Sequence, residues 1–400
     1  MTDPSRRADR VLGRLPAGVV PLAHARLRSA YDQLARRTGR APVETAASIG
    51  AAARYLVAPI ALGEDWPGPT PPVPVGDGAV HADLTDDDAE LFAVMRRTLR
   101  PDQLRPETLA AEAQTWRLPV TPYRPMPATG DLCGGVPAAA GERIRVGSAP
   151  PDGPPGDALD GMLVVDLTGL WAGPLATGLL AAAGARVVKL DPSCRPDALA
   201  AHPRLYRELN AAKETLDLDL RLHADRARFE ALVTHADLVI DAFSRRVMPN
   251  FGYGPAALAT LAAAGGNPSL ATMSIVAFPA GGPEQDWTAY GPGVHAAVGL
   301  GGGPGGDPGV SGRIRWQPAP IAYPDPLAGL TAFAAAVGVL TDPARRRGAP
   351  GGHHEISLAG VLAPLVAGRD DDHRLPGARR ADHPHPPRAD QPRADQGTRR

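Results

Sequence analysis

The segment 161–190 constrains the fold of this chain more than any other. Residues 162–167 form an apolar run of strand length, and 175–183 has the small, helix-favouring composition of a helix packed against a sheet. The run ARVVKL at 185–190 indicates a second strand. A strand, a helix and a strand within about 30 residues form a βαβ unit, whose first turn lies at the carboxyl edge of a parallel sheet. Because ligands bind at that edge, the turn at 171–174 is a candidate binding segment.

The following sequence repeats this alternation of strands and helices. Apolar or alternating runs predict four more strands, at 214–220, 237–243, 269–278 and 353–358. Helical patterns occupy 224–236 and 324–340, the second beginning near Asp325. The pattern predicts an α/β protein whose core is a Rossmann-like open sheet.

Composition shifts predict four segments. Residues 1–125 are predicted to be mainly helical, with a loop at 65–78 that is too rich in Pro and Gly for a regular element. A Pro/Gly-rich linker at 126–160 separates this region from the α/β domain at 161–366. The stretch 367–400 is rich in Pro, Arg and Asp, so it is predicted to be a disordered tail.

One helix of the N-terminal region carries a start signal. Thr85 stands where its side chain would cap a helix through the backbone of Asp88. Leu91, Phe92 and Met95 would then face a core.

Charge and cysteine content restrict the partners. The formal net charge is -1, which gives no reason to expect a nucleic acid or a membrane surface as partner. Two cysteines are too few for a disulfide framework, and no signal peptide or spanning helix is apparent, so a cytoplasmic protein is predicted. Of 42 basic residues, only Lys189 and Lys213 are lysines. Their position early in the α/β region would fit a phosphorylated ligand.

Five motifs in order resemble the class III coenzyme A transferase family, which includes formyl-CoA and carnitine CoA-transferases and α-methylacyl-CoA racemases. They are VVDLTGLWAGPLATGLLAAAGARVVKLD, LNAAKETLDLDL, ADLVIDAFSRRVM, SIVAFPAGGP and YPDPLAGLTAFAAAVGVL. The resemblance covers roughly residues 160–365. It implies that coenzyme A or an acyl-CoA is a substrate, that a small carboxylic acid is the acceptor, and that no permanently bound cofactor is needed.

The resemblance also implies a coenzyme site and explains why the turn lacks a dinucleotide glycine fingerprint. The turn residues lie beside coenzyme A in the family, and two further segments line its nucleotide end. Lys189 is added as a candidate phosphate contact, and Arg245 is added on its chemistry alone, as a cation near that edge. The candidate coenzyme-binding residues are then Trp171, Ala172, Lys189, Asn210, Lys213, Ala242, Phe243, Ser244 and Arg245. Alternative interpretations are an apolar plug for Trp171 and an exposed strand-end residue for Lys189.

Asp325 matches the aspartate nucleophile of the family's transferases. Its carboxylate would attack the thioester carbonyl, and a helix N-terminus would keep it ionised and stabilise developing charge. The alternative is that Asp325 only caps its own helix. In the family's racemases a histidine takes part in proton transfer, and Tyr290 stands at that position here. Because tyrosine is a poor base near neutral pH, transferase is favoured over racemase, although His295 is a possible substitute.

Some features depart from the family pattern. The family's smaller domain has no counterpart after residue 365, although parts of 76–125 faintly resemble it in permuted order. The resemblance implies a homodimer, and the departures leave open a non-catalytic subunit or a need for a partner subunit. No metal site is predicted, since the histidine pairs at 353–354 and 383–385 lack ligand spacing from Cys or carboxylates.

Overall fold

The computed structural model describes residues 3–39, 48–100, 103–125, 157–303 and 315–366. The predicted tail and most of the predicted linker lie outside these residues, as does most of the glycine-rich stretch 299–312.

Helices and strands are numbered along the described part of the chain. The helices are α1 Pro4–Leu12, α2 Val19–Thr38, α3 Ile49–Leu56, α4 Ala58–Ala61, α5 Asp86–Thr98, α6 Pro106–Thr115, α7 Ala172–Ala182, α8 Pro203–Asn210, α9 His223–Val233, α10 Val247–Asn250, α11 Pro255–Ala264, α12 Gly291–Ala297, α13 Pro324–Thr341, α14 Pro343–Arg346 and α15 Leu358–Val366. The strands are β1 Val73–Val75, β2 Gly78–Ala82, β3 Val120–Pro122, β4 Leu163–Leu167, β5 Arg186–Leu190, β6 Glu214–Leu216, β7 Leu238–Asp241, β8 Ala271–Val276, β9 Gly302–Gly303, β10 Arg315–Trp316 and β11 Gly352–Ser357.

The main sheet of the described residues has six parallel strands in the order β11-β8-β7-β4-β5-β6. Counted from β4 along the chain, this is the 3-2-1-4-5-6 order of a Rossmann sheet. One row of register partners runs across it through Val188, Val165, Val239, Thr272 and His353. The strand order reverses between β4 and β7, so the loops after these two strands flank the crevice in which such sheets bind ligands. The predicted α/β fold is confirmed.

Helix α13 lies at the centre of the larger hydrophobic core. It packs against α7 of the βαβ unit and against α2 of the N-terminal region. The approach to α7 is close, since a Cβ on Gly329 would lie 2.5 Å from the carbonyl oxygen of Ala172. The N-terminal helices and the main sheet therefore share one core, which includes Leu27 and Leu34 of α2 beside Phe333 of α13.

Helix α13 also has the length and composition of a membrane span. Together with α14 it is the one helical segment among the described residues that meets both criteria. Half of its apolar window is buried inside the protein, and Leu327, Leu330 and Phe333 are fully enclosed. Such burial is the ordinary reason for an apolar helix in a protein core.

The N-terminal region contains strands as well as the predicted helices. β1, β2 and β3 form a small antiparallel sheet. The prediction of a loop throughout 65–78 is wrong at Val73–Val75, because Pro74 occupies an edge strand, where a missing N–H is tolerated. The cap is confirmed, since Thr85 Oγ1 accepts from the Asp88 N–H at 3.2 Å. Phe92 and Met95 are buried as predicted, whereas Leu91 is exposed.

Alanine substitutions at two glycines of α13 test the close helix contact. Gly329→Ala should lower the free energy of unfolding by about 1–3 kcal/mol, because the new methyl group meets the α7 backbone. Gly338→Ala is the matched control, since its Cβ would meet only the Gln33 side-chain oxygen, at 3.2 Å. The control should be neutral or stabilise by up to about 1 kcal/mol through helix propensity. Urea denaturation measures both, and equal effects would contradict the packing assigned to Gly329.

Candidate active site

The turn after β4 carries α7 directly over the end of the strand. Leu170 adopts a left-handed conformation with φ of 63°, and α7 begins at Ala172. Gly173 is required there, since a Cβ on it would overlap the side chain of Thr168. The Trp-Ala-Gly-Pro turn therefore serves a tight strand-to-helix crossing at the ligand edge of the sheet.

A buried carboxylate, that of Asp166, stabilises this turn by hydrogen bonds. Asp166, in β4, is fully buried and accepts hydrogen bonds from the N–H and hydroxyl of Thr168 at 2.8 and 2.6 Å. Its second oxygen accepts from the Thr177 hydroxyl of α7 at 2.6 Å and from Lys213 Nζ at 3.1 Å. Burial raises the pKa of Asp166, but the ammonium groups of Lys213 and Lys189 outweigh it and hold the pKa below its usual range.

Both lysines lie at the predicted edge with their ammonium groups turned inward. Lys189 is 1% exposed and donates to the Thr168 carbonyl at 2.5 Å and to Asp197 at 3.3 Å, so the alternative of an exposed strand-end residue is wrong. Lys213 donates to Asp166 and to the Asn210 side chain, the latter at 2.8 Å. The structure thus brings three predicted coenzyme residues together around internal polar groups.

The predicted segment after β7 follows the strand that pairs with β4 where the strand order reverses. Phe243, Ser244 and Arg245 line a cavity of about 170 Å³, together with Asp241 and residues of β8, β11 and the 248–258 segment. The partly exposed Arg245 is already engaged by neighbouring groups, because it pairs with Glu355 and donates to the carbonyls of Phe278 and Gln285. Burial raises the pKa of Asp241 to about 6.

Trp171 and Ala172 are both buried at the start of α7. The Trp171 ring is 3% exposed and packs edge-to-face against Trp66, with ring centroids 5.4 Å apart. Its Nε1 is buried with no hydrogen-bond partner among the described residues. This environment agrees with an apolar plug in the free protein, and contact with coenzyme A stays a prediction for both residues.

Asp325 lies where the first turns of two helices meet. It is the second residue of α13, and its two carboxylate oxygens lie 3.1 and 3.3 Å from the N–H of Gly291, the first residue of α12. A Cβ on Gly291 would overlap the carboxylate, so the approach needs glycine. The N-cap of α13 is Tyr323, not Asp325. The Asp325 carboxylate accepts a hydrogen bond from α12, and a role as a cap of its own helix would not explain this contact.

The environment of Asp325 makes it a weak acid. Burial and the nearby carboxylate of Asp83 raise its pKa to about 7, although the Gly291 N–H lowers it. The expectation that the helix N-terminus keeps the group ionised is therefore wrong below about pH 7, because the cost of desolvating the charge exceeds the help from the helix. A poised carboxyl of this kind is common at functional sites.

Asp83 belongs to a group of N-terminal residues that sequence reasoning missed. It follows β2, and its Oδ1 lies 2.9 Å from Nε2 of the fully buried His81, in a contact not aligned as a hydrogen bond. On the adjacent strand β3, Thr121 donates to the Gly293 carbonyl of α12 at 2.9 Å. No local pattern marks these residues, because their relation to Asp325 arises only from the docking of the small sheet on α12.

The two candidate bases of the racemase alternative are poorly suited to that role. Partial burial and the carboxylate of Asp83 raise the pKa of Tyr290. Burial lowers the pKa of His295 to about 4, and its Nδ1 lies 2.9 Å from the Tyr323 hydroxyl. Both side chains therefore remain uncharged near neutral pH.

The histidines at 353 and 354 are engaged with neighbouring groups. His353 Nδ1 lies 3.0 Å from the Thr272 hydroxyl, and His354 Nε2 lies 3.0 Å from the Gly351 carbonyl oxygen. In the part of the chain that the structure describes, no group of three His, Cys, Asp or Glu side chains could hold a metal ion. The histidines at 383 and 385 lie outside it.

The fold and the site define an α/β protein with a Rossmann-type sheet and, at the start of α13, a carboxyl group of raised pKa. The family model for CoA-transferase family III matches residues 159–391, more than half of the chain. The chain belongs to this family.

Three curated relatives illustrate the chemistry found in the family. Acetyl-CoA:oxalate CoA-transferase of Acetobacter aceti is 31% identical over 54% of this chain and 54% of its own length. Succinyl-CoA:mesaconate CoA-transferase of Haloarcula hispanica is 36% identical over 30% of this chain and 32% of its own. Human alpha-methylacyl-CoA racemase is 36% identical over 24% of each. The chain spans about half the length of the first of these, and less of the other two.

Solved structures show a more distant similarity. A hypothetical protein from Mycobacterium tuberculosis is 26% identical, with a TM-score of 0.45 over 52% of this chain and 58% of that one. A CAIB/BAIF family protein from Brucella suis is 25% identical, with a TM-score of 0.43 over 51% and 55%.

The internal pairing of Lys213 predicts a large stability cost on its removal. Lys213→Met should lower the free energy of unfolding by about 3–5 kcal/mol, because it leaves the Asp166 charge buried without its partner. Adding Asp166→Asn should recover part of that loss. The matched control is Arg186→Met, which breaks an exposed pair with Glu214 and should cost less than about 1 kcal/mol. Equal losses in the two single variants, measured by urea denaturation, would show that Lys213 has no internal structural role.

Proposed function

We propose that this protein transfers coenzyme A from an acyl-CoA donor to a small carboxylic acid, with Asp325 as nucleophile. The observation that carries the proposal is the placement of the Asp325 carboxylate at the starts of α12 and α13, in contact with the Gly291 N–H. That N–H holds the attacking carboxylate in place, and it can stabilise the negative charge that develops on the aspartyl carbonyl oxygen when CoA thiolate attacks the anhydride. Membership of CoA-transferase family III supports the same reaction class.

The reaction proceeds in two matched halves. The Asp325 carboxylate attacks the thioester carbonyl, a C–O bond forms, the C–S bond breaks, and an acyl-aspartyl anhydride and CoA thiolate result. The thiolate then attacks the aspartyl carbonyl, which gives an aspartyl-CoA thioester and releases the donor acid. The acceptor carboxylate then attacks the aspartyl-CoA thioester, which forms a second anhydride and releases CoA thiolate. The thiolate attacks the acceptor's acyl carbonyl, so a new acyl-CoA leaves and the Asp325 carboxylate is restored.

The crevice between β4 and β7 is the proposed position of coenzyme A. Two observations support this position: Trp171 and Ala172 follow β4, and Phe243, Ser244 and Arg245 follow β7 and line a cavity together with residues of β7, β8 and β11. In this assignment coenzyme A is a substrate, and the chemistry needs no permanently bound cofactor. The homodimer and the cytoplasmic location inferred from the sequence remain predictions.

The alternative is a non-catalytic subunit, and one observation favours it. The basic side chains of Lys189, Lys213 and Arg245 already pair with internal carboxylates, which reduces the positive charge open to phosphates. Isothermal titration with coenzyme A separates the two functions. A lack of binding at millimolar ligand would rule out the transferase proposal for this chain on its own.

Substitution of Asp325 tests the proposed nucleophile. Asp325→Asn should reduce transfer by several orders of magnitude, because the amide lacks the anionic attacking oxygen, while the affinity for coenzyme A changes little. In the parent protein, quenching with an acyl-CoA donor and trapping with hydroxylamine should modify Asp325. The matched control is Asp342→Asn beyond the other end of α13, where Asp342 only caps α14.

The control should retain transfer within about twofold, as expected for one capping side chain exchanged for another. Near-normal turnover of Asp325→Asn would refute the catalytic role. A parent protein that shows neither turnover nor an adduct would favour the non-catalytic alternative.

The raised pKa of Asp325 predicts an acid limb in the pH profile. Transfer should fall as the pH drops through about 7, because protonation removes the nucleophile. Asp83→Asn removes a negative charge that raises this pKa, so the limb should move to lower pH, by the order of one unit. Asp87→Asn, at an exposed position in the first turn of α5, is the control and should leave the limb in place. An acid limb at the same pH in Asp83→Asn as in the parent protein would show that Asp83 does not raise the pKa of Asp325.

A further inference from the structure

The side chain of Gln114 holds one backbone segment from both sides. Its Nε2 donates to the Thr288 carbonyl at 2.9 Å, and its Oε1 accepts from the Thr288 N–H at 2.7 Å. The same Nε2 donates to the Val120 carbonyl at 2.9 Å, at the start of β3. Only an amide side chain supplies donors and an acceptor in this arrangement, and Gln114 is 8% exposed, so it makes these bonds largely out of water.

The clamped segment leads directly to the proposed nucleophile. Gly291, three residues after Thr288, is the residue whose N–H contacts Asp325. The C-terminal part of α12 is held separately, because Arg124 donates to the Ala297 carbonyl at 3.2 Å. Through Gln114 and Arg124, the N-terminal region holds the backbone that precedes α12 and the last residue of α12.

We propose that Gln114 is a positioning residue for Asp325. By fixing the backbone of Thr288, its amide aligns the Gly291 N–H with the carboxylate that accepts from it. This inference rests on the proposed function only for its catalytic consequence, since the alignment itself is a property of the folded chain. It gives the N-terminal region, which lies outside the matched family segment, a direct part in the site.

Loss of the Gln114 hydrogen bonds to Thr288 should weaken the hydrogen bond from the Gly291 N–H to the charged form of Asp325. Protonation of Asp325 is then favoured, so its pKa should rise. Among the described residues, the other titratable groups that act on this carboxylate or are acted on by it are Asp83, after β2, and Tyr290, before α12. Gln114 does not bond to Asp83, whose charge therefore stays in place when Gln114 is changed. Tyr290 lies between Thr288 and Gly291 and moves with that segment, but its raised pKa keeps it uncharged near neutral pH.

The test is a titration of the Asp325 carboxyl by carbon-13 NMR in aspartate-labelled protein, with the resonance assigned by its loss in Asp325→Asn. Gln114→Met keeps the bulk of the side chain and removes its hydrogen bonds. It should raise the midpoint by about half a pH unit or more. Gln33→Met is the matched control, because Gln33 donates to the Ser29 carbonyl within α2, and it should leave the midpoint unchanged.

Catalysis provides a second readout. In Gln114→Met, kcat at pH 7 should fall by at least about tenfold while the dissociation constant for coenzyme A stays within about twofold, as expected for a transition-state contact. A purely structural role would lower thermal stability without moving the midpoint. An unchanged midpoint in folded Gln114→Met overturns the proposal, as does a raised midpoint with unchanged kcat in an active parent enzyme.

Two further outcomes are also decisive. If Gln114→Met does not fold, Gln114→Asn, which keeps the amide on a shorter stem, takes its place with the same expected direction and the same contradicting result. If the parent protein transfers no coenzyme A, the titration alone decides on Gln114, so failure of the proposed function and failure of this inference are distinguishable.

Discussion

The buried pair of Asp166 and Lys213 is the interaction on which the ligand edge of the sheet depends. Both side chains are fully enclosed, and a carboxylate in that position is tolerable only when every oxygen is engaged. Hydrogen bonds from Thr168 and Thr177 meet this requirement and tie the turn and α7 to β4. Lys213 extends the connection to the end of α8 through Asn210. The edge is therefore preorganised by charges that face inward.

A second constraint fixes the position of the Asp325 carboxyl group. Gly329 lets α13 approach α7 closely, and α13 begins at the same side of the sheet as the Trp171 turn. Gly291 lets α12 approach Asp325 in the same manner. Close backbone contacts at glycines thus determine where the carboxylate lies, and burial in that position raises its pKa to about 7. The Gly291 N–H opposes that rise, so a fraction of the carboxyl group stays ionised near neutral pH.

The sequence predicted those elements whose signals are local. The strands of the main sheet follow from short apolar runs, and the Thr85 cap follows from residue spacing. The sequence did not predict the environment of residues whose structure depends on a partner far along the chain. Pro74 joins an edge strand because β2 pairs with it, and Lys189 is buried because Asp197 and a carbonyl receive its charge. The influence of Asp83 and Gln114 on Asp325 depends on packing between distant parts of the chain, which residue spacing does not encode.

The central claim, that Asp325 exchanges an oxygen atom with its substrates, is tested most directly by isotope transfer. In the proposed reaction the final thiolate attack leaves one acceptor oxygen on the Asp325 carboxylate. Turnover with an acceptor acid labelled with oxygen-18, followed by proteolysis and mass spectrometry, should place the label in the peptide that contains Asp325. Sustained turnover with no label in that peptide would contradict the account.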